Sequence, residues 1–121
     1  MERMINTGVH GVIDYMSAVA LVVAPWLFEF QAQAGATMLS LASGIAVTAM
    51  SICTRYEGGI IKVLPMRIHL WLDVAIGLVW IVSPWLLGAE GGARSFLIVM
   101  GIISLMAGLA TVQEPGPKSA E

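Results

Sequence analysis

Four runs of about twenty mostly apolar residues dominate this chain, and each is long enough to cross roughly 30 Å of hydrocarbon as a helix. They are Val9–Phe28, Ala34–Cys53, Ile68–Leu87 and Ser95–Val112. Polar or glycine-bearing breaks separate them at 29–33, 54–67 and 88–94. A chain of 121 residues has room for one domain, and only 12% of its residues are charged. A soluble body this small needs a polar surface to cover its high surface-to-volume ratio. With 58% hydrophobic residues and a mean hydropathy of +0.85, this chain lacks one, and a lipid-facing surface removes the difficulty. The sequence therefore predicts an all-α membrane protein of four transmembrane helices in a single domain, 1–121.

The first and third breaks are short and make tight hairpins. Both termini and the middle connection then share one side of the membrane. That side holds Arg3, Arg55, Lys62, Arg67 and Lys118, and the opposite side holds Arg94. This bias places both termini in the cytoplasm. The net charge of −2 argues against a nucleic-acid partner, which needs a basic patch. The lone Cys53 lies in an apolar run and reads as a buried, inert thiol. No clean signal-peptide cleavage site follows the first run, which His10 and Asp14 interrupt. Pro115, Gly116 and Pro117 stop a helix, and 117–121 suits a disordered tail.

The chain also repeats. His10–Phe30 aligns with His69–Ala89 at an offset of 59, with six of 21 positions identical: His10/His69, Asp14/Asp73, Val23/Val82, Pro25/Pro84, Trp26/Trp85 and Leu27/Leu86. The later part of each unit aligns at an offset of 57, matching Gly35-Ala36 with Gly92-Ala93, Gly44-Ile45 with Gly101-Ile102, Thr54 with Thr111, Glu57 with Glu114 and Gly59 with Gly116. Repeat one is 5–59 and repeat two is 64–116. Each copy holds two spans, so the copies point the same way, and a pseudo-twofold axis along the membrane normal is the expected arrangement.

Ser83-Pro84-Trp85, preceded by His69 and Asp73 at this spacing, resembles the SPW repeat family of prokaryotic membrane proteins. The first copy has Ala24-Pro25-Trp26 instead, and the linker Tyr56-Glu57-Gly58-Gly59 to Pro65-Met66 is also similar to that family's. The resemblance implies a four-span, two-repeat fold in a prokaryotic plasma (inner) membrane. It lends no activity and no catalytic residue.

A spacing of four puts His10 with Asp14, and His69 with Asp73, on one helical face. Ionisable groups in a span cost about 2.5–3.5 kcal/mol on insertion scales, so these faces should look into the bundle. Glu57 and Glu114 lie at the same level and complete a candidate polar cluster. Such a cluster can be structural, each charge surviving by pairing. It can also hold a tetrahedral divalent metal or relay protons. A haem between His10 and His69 is disfavoured, because an aspartate one turn away would bond the imidazole.

The Pro-Trp pairs, Pro25-Trp26 and Pro84-Trp85, should kink or end their spans and anchor them at the far interface. Ser83 is read as bonding a freed carbonyl, not as a nucleophile. Trp71 and Trp80 have no counterpart in copy one and read as lipid-facing or packing residues. The small residues Ala36, Ser40, Gly44 and Thr48, and Gly101, Ser104, Gly108 and Thr111, fit close helix packing within the chain or a homo-oligomer interface. No nucleotide loop, nucleophile elbow or zinc-protease helix is present, so no enzyme, catalytic residue, cofactor or resident metal is assigned. The expectation is a non-catalytic structural, self-associating or accessory membrane module. Its partners are the lipid bilayer and either its own copies or another membrane protein. The alternative is an ion or proton transporter using the duplicated His-x-x-x-Asp pairs.

Overall fold

The computed structural model describes residues 3–116. The expected tail at 117–121, with Lys118, lies outside them. Four helices account for most of the described residues: α1 (Thr7–Leu27), α2 (Ala34–Ile52), α3 (Met66–Leu87) and α4 (Gly91–Ala110). All four are long and apolar enough to cross a membrane. The fold is that of an all-α membrane protein. Large apolar side chains such as Met16, Val19, Ile45, Leu78 and Val99 lie exposed along its flanks, where lipid tails would cover them.

The helix ends follow local chemistry. Asn6 caps α1, its side-chain oxygen accepting from the Val9 amide at 2.8 Å. Pro65 precedes α3 in an extended conformation, and its carbonyl accepts from Ile68 and His69. That starts α3 at Met66, two residues before the apolar run, so Arg67 is helical. Helix α4 likewise begins early, at Gly91, and takes in Arg94, whose Nε donates to the Ala89 carbonyl at 3.1 Å. Cys53 is the C-terminal cap of α2 and is half-buried, less enclosed than its apolar neighbourhood suggests.

Close backbone approach is concentrated within each hairpin, α1 against α2 and α3 against α4; the hairpins touch each other more sparingly. Glycine makes this approach feasible. A Cβ at Gly101 would sit 2.6 Å from the Gly77 carbonyl oxygen, and one at Gly108 would sit 2.8 Å from that of Leu70. A Cβ at Gly44 would meet Val22 at 2.7 Å. Gly44, Gly101 and Gly108 of the small-residue stripes thus serve packing within the hairpins.

Both prolines lie inside their helices, in the last turn, and are buried. Proline leaves the carbonyl four residues earlier without its helical donor. The two copies satisfy that carbonyl differently. Ser40 of α2 donates to the Leu21 carbonyl at 2.5 Å, whereas Ser83 donates to the Trp80 carbonyl at 2.8 Å. Ser83 therefore does what its place beside Pro84 suggested. Beyond each proline the chain turns in the left-handed region, at Glu29 (φ 55°) in copy one and Gly88 (φ 64°) in copy two.

At the opposite end of the bundle the terminal segments and the middle linker pair reciprocally. Ile5 bridges to Thr111, and Leu64 bridges to Thr54. The supporting bonds correspond one for one: Ile5 N–H to the Ala110 carbonyl and Leu64 N–H to that of Cys53, Val112 N–H to that of Ile5 and Arg55 N–H to that of Leu64.

Left-handed backbone costs a non-glycine residue roughly 1–2 kcal/mol. Glu29→Gly should therefore raise the thermal midpoint of the detergent-solubilised protein by a few degrees, and Gly88→Ala should lower it. Gly101→Val, which drives atoms into the α3 backbone, should cost at least the 1–3 kcal/mol typical of overpacking, read in the same melt.

Candidate functional site: a buried histidine–aspartate quartet

His10 and Asp14 project from the first two turns of α1, and His69 and Asp73 from those of α3. Both histidines have no solvent exposure, and both aspartates are about 6% exposed. The rings meet edge to face with centroids 5.3 Å apart. His10 Nε2 donates to Asp73 Oδ2 at 2.8 Å and lies 3.2 Å from Asp14 Oδ1. His69 Nε2 lies 3.1 Å from Asp14 Oδ2 and 3.3 Å from Asp73 Oδ2. Each histidine therefore faces the acid of its own helix and the acid of the other copy.

The outward ring nitrogens are held just as reciprocally. His10 Nδ1 is 2.7 Å from Thr111 Oγ1, and His69 Nδ1 is 2.7 Å from Thr54 Oγ1. Each threonine sits just past the helix of the opposite copy. Each hydroxyl also lies 2.6 Å from the carbonyl four residues back, Ala107 or Met50. A hydroxyl has one proton. With that proton given to the carbonyl, the oxygen accepts from the ring, so Nδ1 carries hydrogen in both histidines. Nε2 is the nitrogen turned to the acids.

One further ligand breaks the reciprocity. Tyr56, fully buried in the linker, donates its hydroxyl to Asp14 Oδ2 at 2.7 Å. Burial, and then the neighbouring Asp14 charge, push the Tyr56 phenol far above its ordinary range, so it remains a donor. The position matching Tyr56 in copy two is Gln113.

Four of the six candidate cluster residues thus converge and two do not. Glu57 is exposed and accepts from Thr7 Oγ1 at 2.6 Å, above the quartet. Glu114 is exposed too, 3.6 Å from the Arg67 guanidinium. Both lie in loops, where water is the cheaper surrounding for a carboxylate. In their place the structure brings in Thr54, Thr111 and Tyr56. The threonines matched each other between the copies, and that shared match was the signal available.

The other residues singled out lie at the far end. Trp26 is 58% and Trp85 64% exposed, and Arg94 sits 5.7 Å over the Trp85 ring. Trp71 is exposed, whereas Trp80 is buried and donates to Ser43 Oγ at 2.9 Å, joining α3 to α2.

Among known families, the model of the SPW repeat domain matches residues 8–111. The chain belongs to the SPW repeat family. That match spans both His/Asp pairs and both Pro-Trp pairs. No curated protein and no solved structure matches the chain. The quartet of this SPW repeat protein must accordingly be read from its own geometry.

A hydrogen bond to a charged group contributes about 1.5–3 kcal/mol. Tyr56→Phe should therefore lower the unfolding free energy by about that much, measured by chemical denaturation in detergent. Gln113→Ala, at the matching position of copy two, should leave it nearly unchanged.

Proposed function

We propose that this protein is a small non-catalytic module of the prokaryotic plasma membrane, an accessory or self-associating subunit. The quartet serves as the clasp that fixes its two hairpins against each other. The observation that carries the reading is the crossing of partners: every imidazole faces acids from both copies, where backbone contact between the hairpins is sparse. A pseudo-twofold axis along the membrane normal would pass between the two rings. Arg3, Arg55, Lys62 and Arg67 lie toward the clasp end and Arg94 toward the other, which supports cytoplasmic termini. The exposed Trp26 and Trp85 then fit the outer interface as anchors.

Transport through the quartet is less well supported. A cavity touching Asp14 and Asp73, also lined by Ser17 and Ser104, has a volume of about 20 Å³. That is room for about one water. A closed clasp fits this space better than a conducting path.

Removing one partner of a buried pair costs about 3–5 kcal/mol, because the other charge is left uncompensated. Asp14→Asn with Asp73→Asn should sharply reduce membrane yield and the thermal midpoint in detergent containing a chelator. A cycle of His10→Gln and Asp73→Asn should show coupling of about 0.5–3 kcal/mol, as for directly contacting residues. Independent, additive effects, or a double variant as stable as the parent, would sink the clasp.

A further inference from the structure

We infer that the quartet of His10, Asp14, His69 and Asp73 is a four-coordinate site for a divalent transition-metal ion of the zinc type. The inference goes beyond the clasp, which stands without any ion. Three independent observations point to it.

First, the donor atoms are gathered as a metal would gather them. One ligand atom from each residue lies within 4.8 Å of all the others. Bonds of 2.0–2.1 Å in a tetrahedron require ligand atoms about 3.3–3.4 Å apart, from the ordinary zinc–nitrogen and zinc–oxygen lengths. The nitrogen–oxygen contacts are 3.2 Å (His10 to Asp14 Oδ1), 3.1 Å (His69 to Asp14 Oδ2), 3.3 Å (His69 to Asp73 Oδ2) and 2.8 Å (His10 to Asp73 Oδ2). An ion would open the shortest contact, select one Asp14 oxygen and draw in the longer separations, which stay within 4.8 Å.

Second, one donor lacks a proper partner. His69 Nε2 is fully buried and makes no aligned hydrogen bond, although two carboxylate oxygens stand within 3.3 Å of it. Its Nδ1 already donates to Thr54. Nε2 is therefore the nitrogen left facing two carboxylate oxygens without an aligned bond, and a cation seated between them would bind all three atoms.

Third, the second layer is that of a metal site. Imidazoles that ligate a metal donate their other N–H to a fixed acceptor, which sets tautomer and ring orientation. Thr54 and Thr111 are those acceptors, each locked by its own bond to a helix carbonyl.

The chemistry selects the ion. Two nitrogens and two oxygens suit zinc or a similar borderline ion. Calcium needs six to eight oxygens, and Cu(I) prefers sulfur. The ion takes the place of any proton on the inner ring nitrogens, the Nε2 proton of His10 leaving to solvent as it binds. Two neutral imidazoles, two carboxylates and a dication then sum to zero, the state least costly inside a membrane. Four protein ligands leave no open position, so the ion would be structural and not catalytic.

The test uses the full-length wild-type protein in detergent, stripped with a chelator and titrated with Co²⁺. Tetrahedral Co²⁺ gives intense visible absorption. The expected result is saturation at one ion per chain, bleached by added Zn²⁺ and accompanied by a rise in the thermal midpoint. Thr111→Val keeps all four ligands and should weaken Co²⁺ binding by about 10–100-fold; His69→Gln should abolish the bands. No bands in the stripped wild-type protein, or bands that survive His69→Gln, overturn the site. Neither result touches the clasp, which is measured in chelator.

Discussion

Two carboxylates set inside a hydrocarbon-spanning bundle govern how the rest of this molecule is arranged. An aspartate costs a span about 2.5–3.5 kcal/mol, whereas each leucine, isoleucine, valine or phenylalanine returns a few tenths. The runs around Asp14 and Asp73 are rich enough in such residues to carry one acid each. Insertion tolerates the acid without neutralising it, so compensation falls to the assembled state. There Asp14 receives the Tyr56 hydroxyl and faces both imidazoles, and Asp73 receives His10. Each helix supplies its own acid with one imidazole, and the rest of the set comes from the other copy or the linker, which ties the polar interior to the meeting of α1 and α3.

The two kinds of contact divide by location. Lipid tails are as apolar as leucine, so helices in a membrane associate through tight packing and hydrogen bonds. Within each hairpin close packing leads, because Gly44, Gly77, Gly101 and Gly108 let the backbones nearly touch, and one serine in each, Ser40 or Ser104, donates to the neighbouring helix backbone. Between hairpins the backbones lie farther apart, and polar side chains span the gap: the quartet at one end and the Trp80–Ser43 bond deeper in the bundle. At the far end the Gln33 amide and Glu90 backbone tie the short loops together. The sparser steric interface is the one bridged by bonds from side chain to side chain, and such bonds specify register as packing of smooth apolar faces does not.

This division explains what could be read from the sequence. Apolar length and an internal match are properties of whole segments, so the four spans were legible to within a few residues. Their ends were less so, because Met66, Arg67 and Arg94 are helical for reasons of capping and carbonyl bonding that hydropathy does not weigh. Four quartet members stood out because charge inside an apolar run has few explanations. Glu57 and Glu114 were grouped with them by membrane level, but depth along the normal does not fix distance across the bundle. Thr54, Thr111 and Tyr56 went unnoticed as site residues because each is as much at home on a helix end or in a loop as in a polar core. Only the crossing of partners, which places Thr111 on His10 and Thr54 on His69, reveals their role.

The copies agree and differ in an instructive pattern. Some needs met inside one hairpin are met differently in the two copies: Ser40 or Ser83 for the carbonyl freed by proline, Glu29 or Gly88 for the left-handed turn. In the quartet and its threonines, where each residue of one copy serves the other, the pairs are identical: histidine with histidine, aspartate with aspartate, threonine with threonine. A local need admits any residue that satisfies its own surroundings. A crossed pair is more constrained, since altering one histidine changes the environment of both acids and so of the second histidine. Coupling of that kind ties four positions to a single chemical solution, and it follows from the geometry of α1 meeting α3 whether protons or a metal ion fill the space between the acids and the rings.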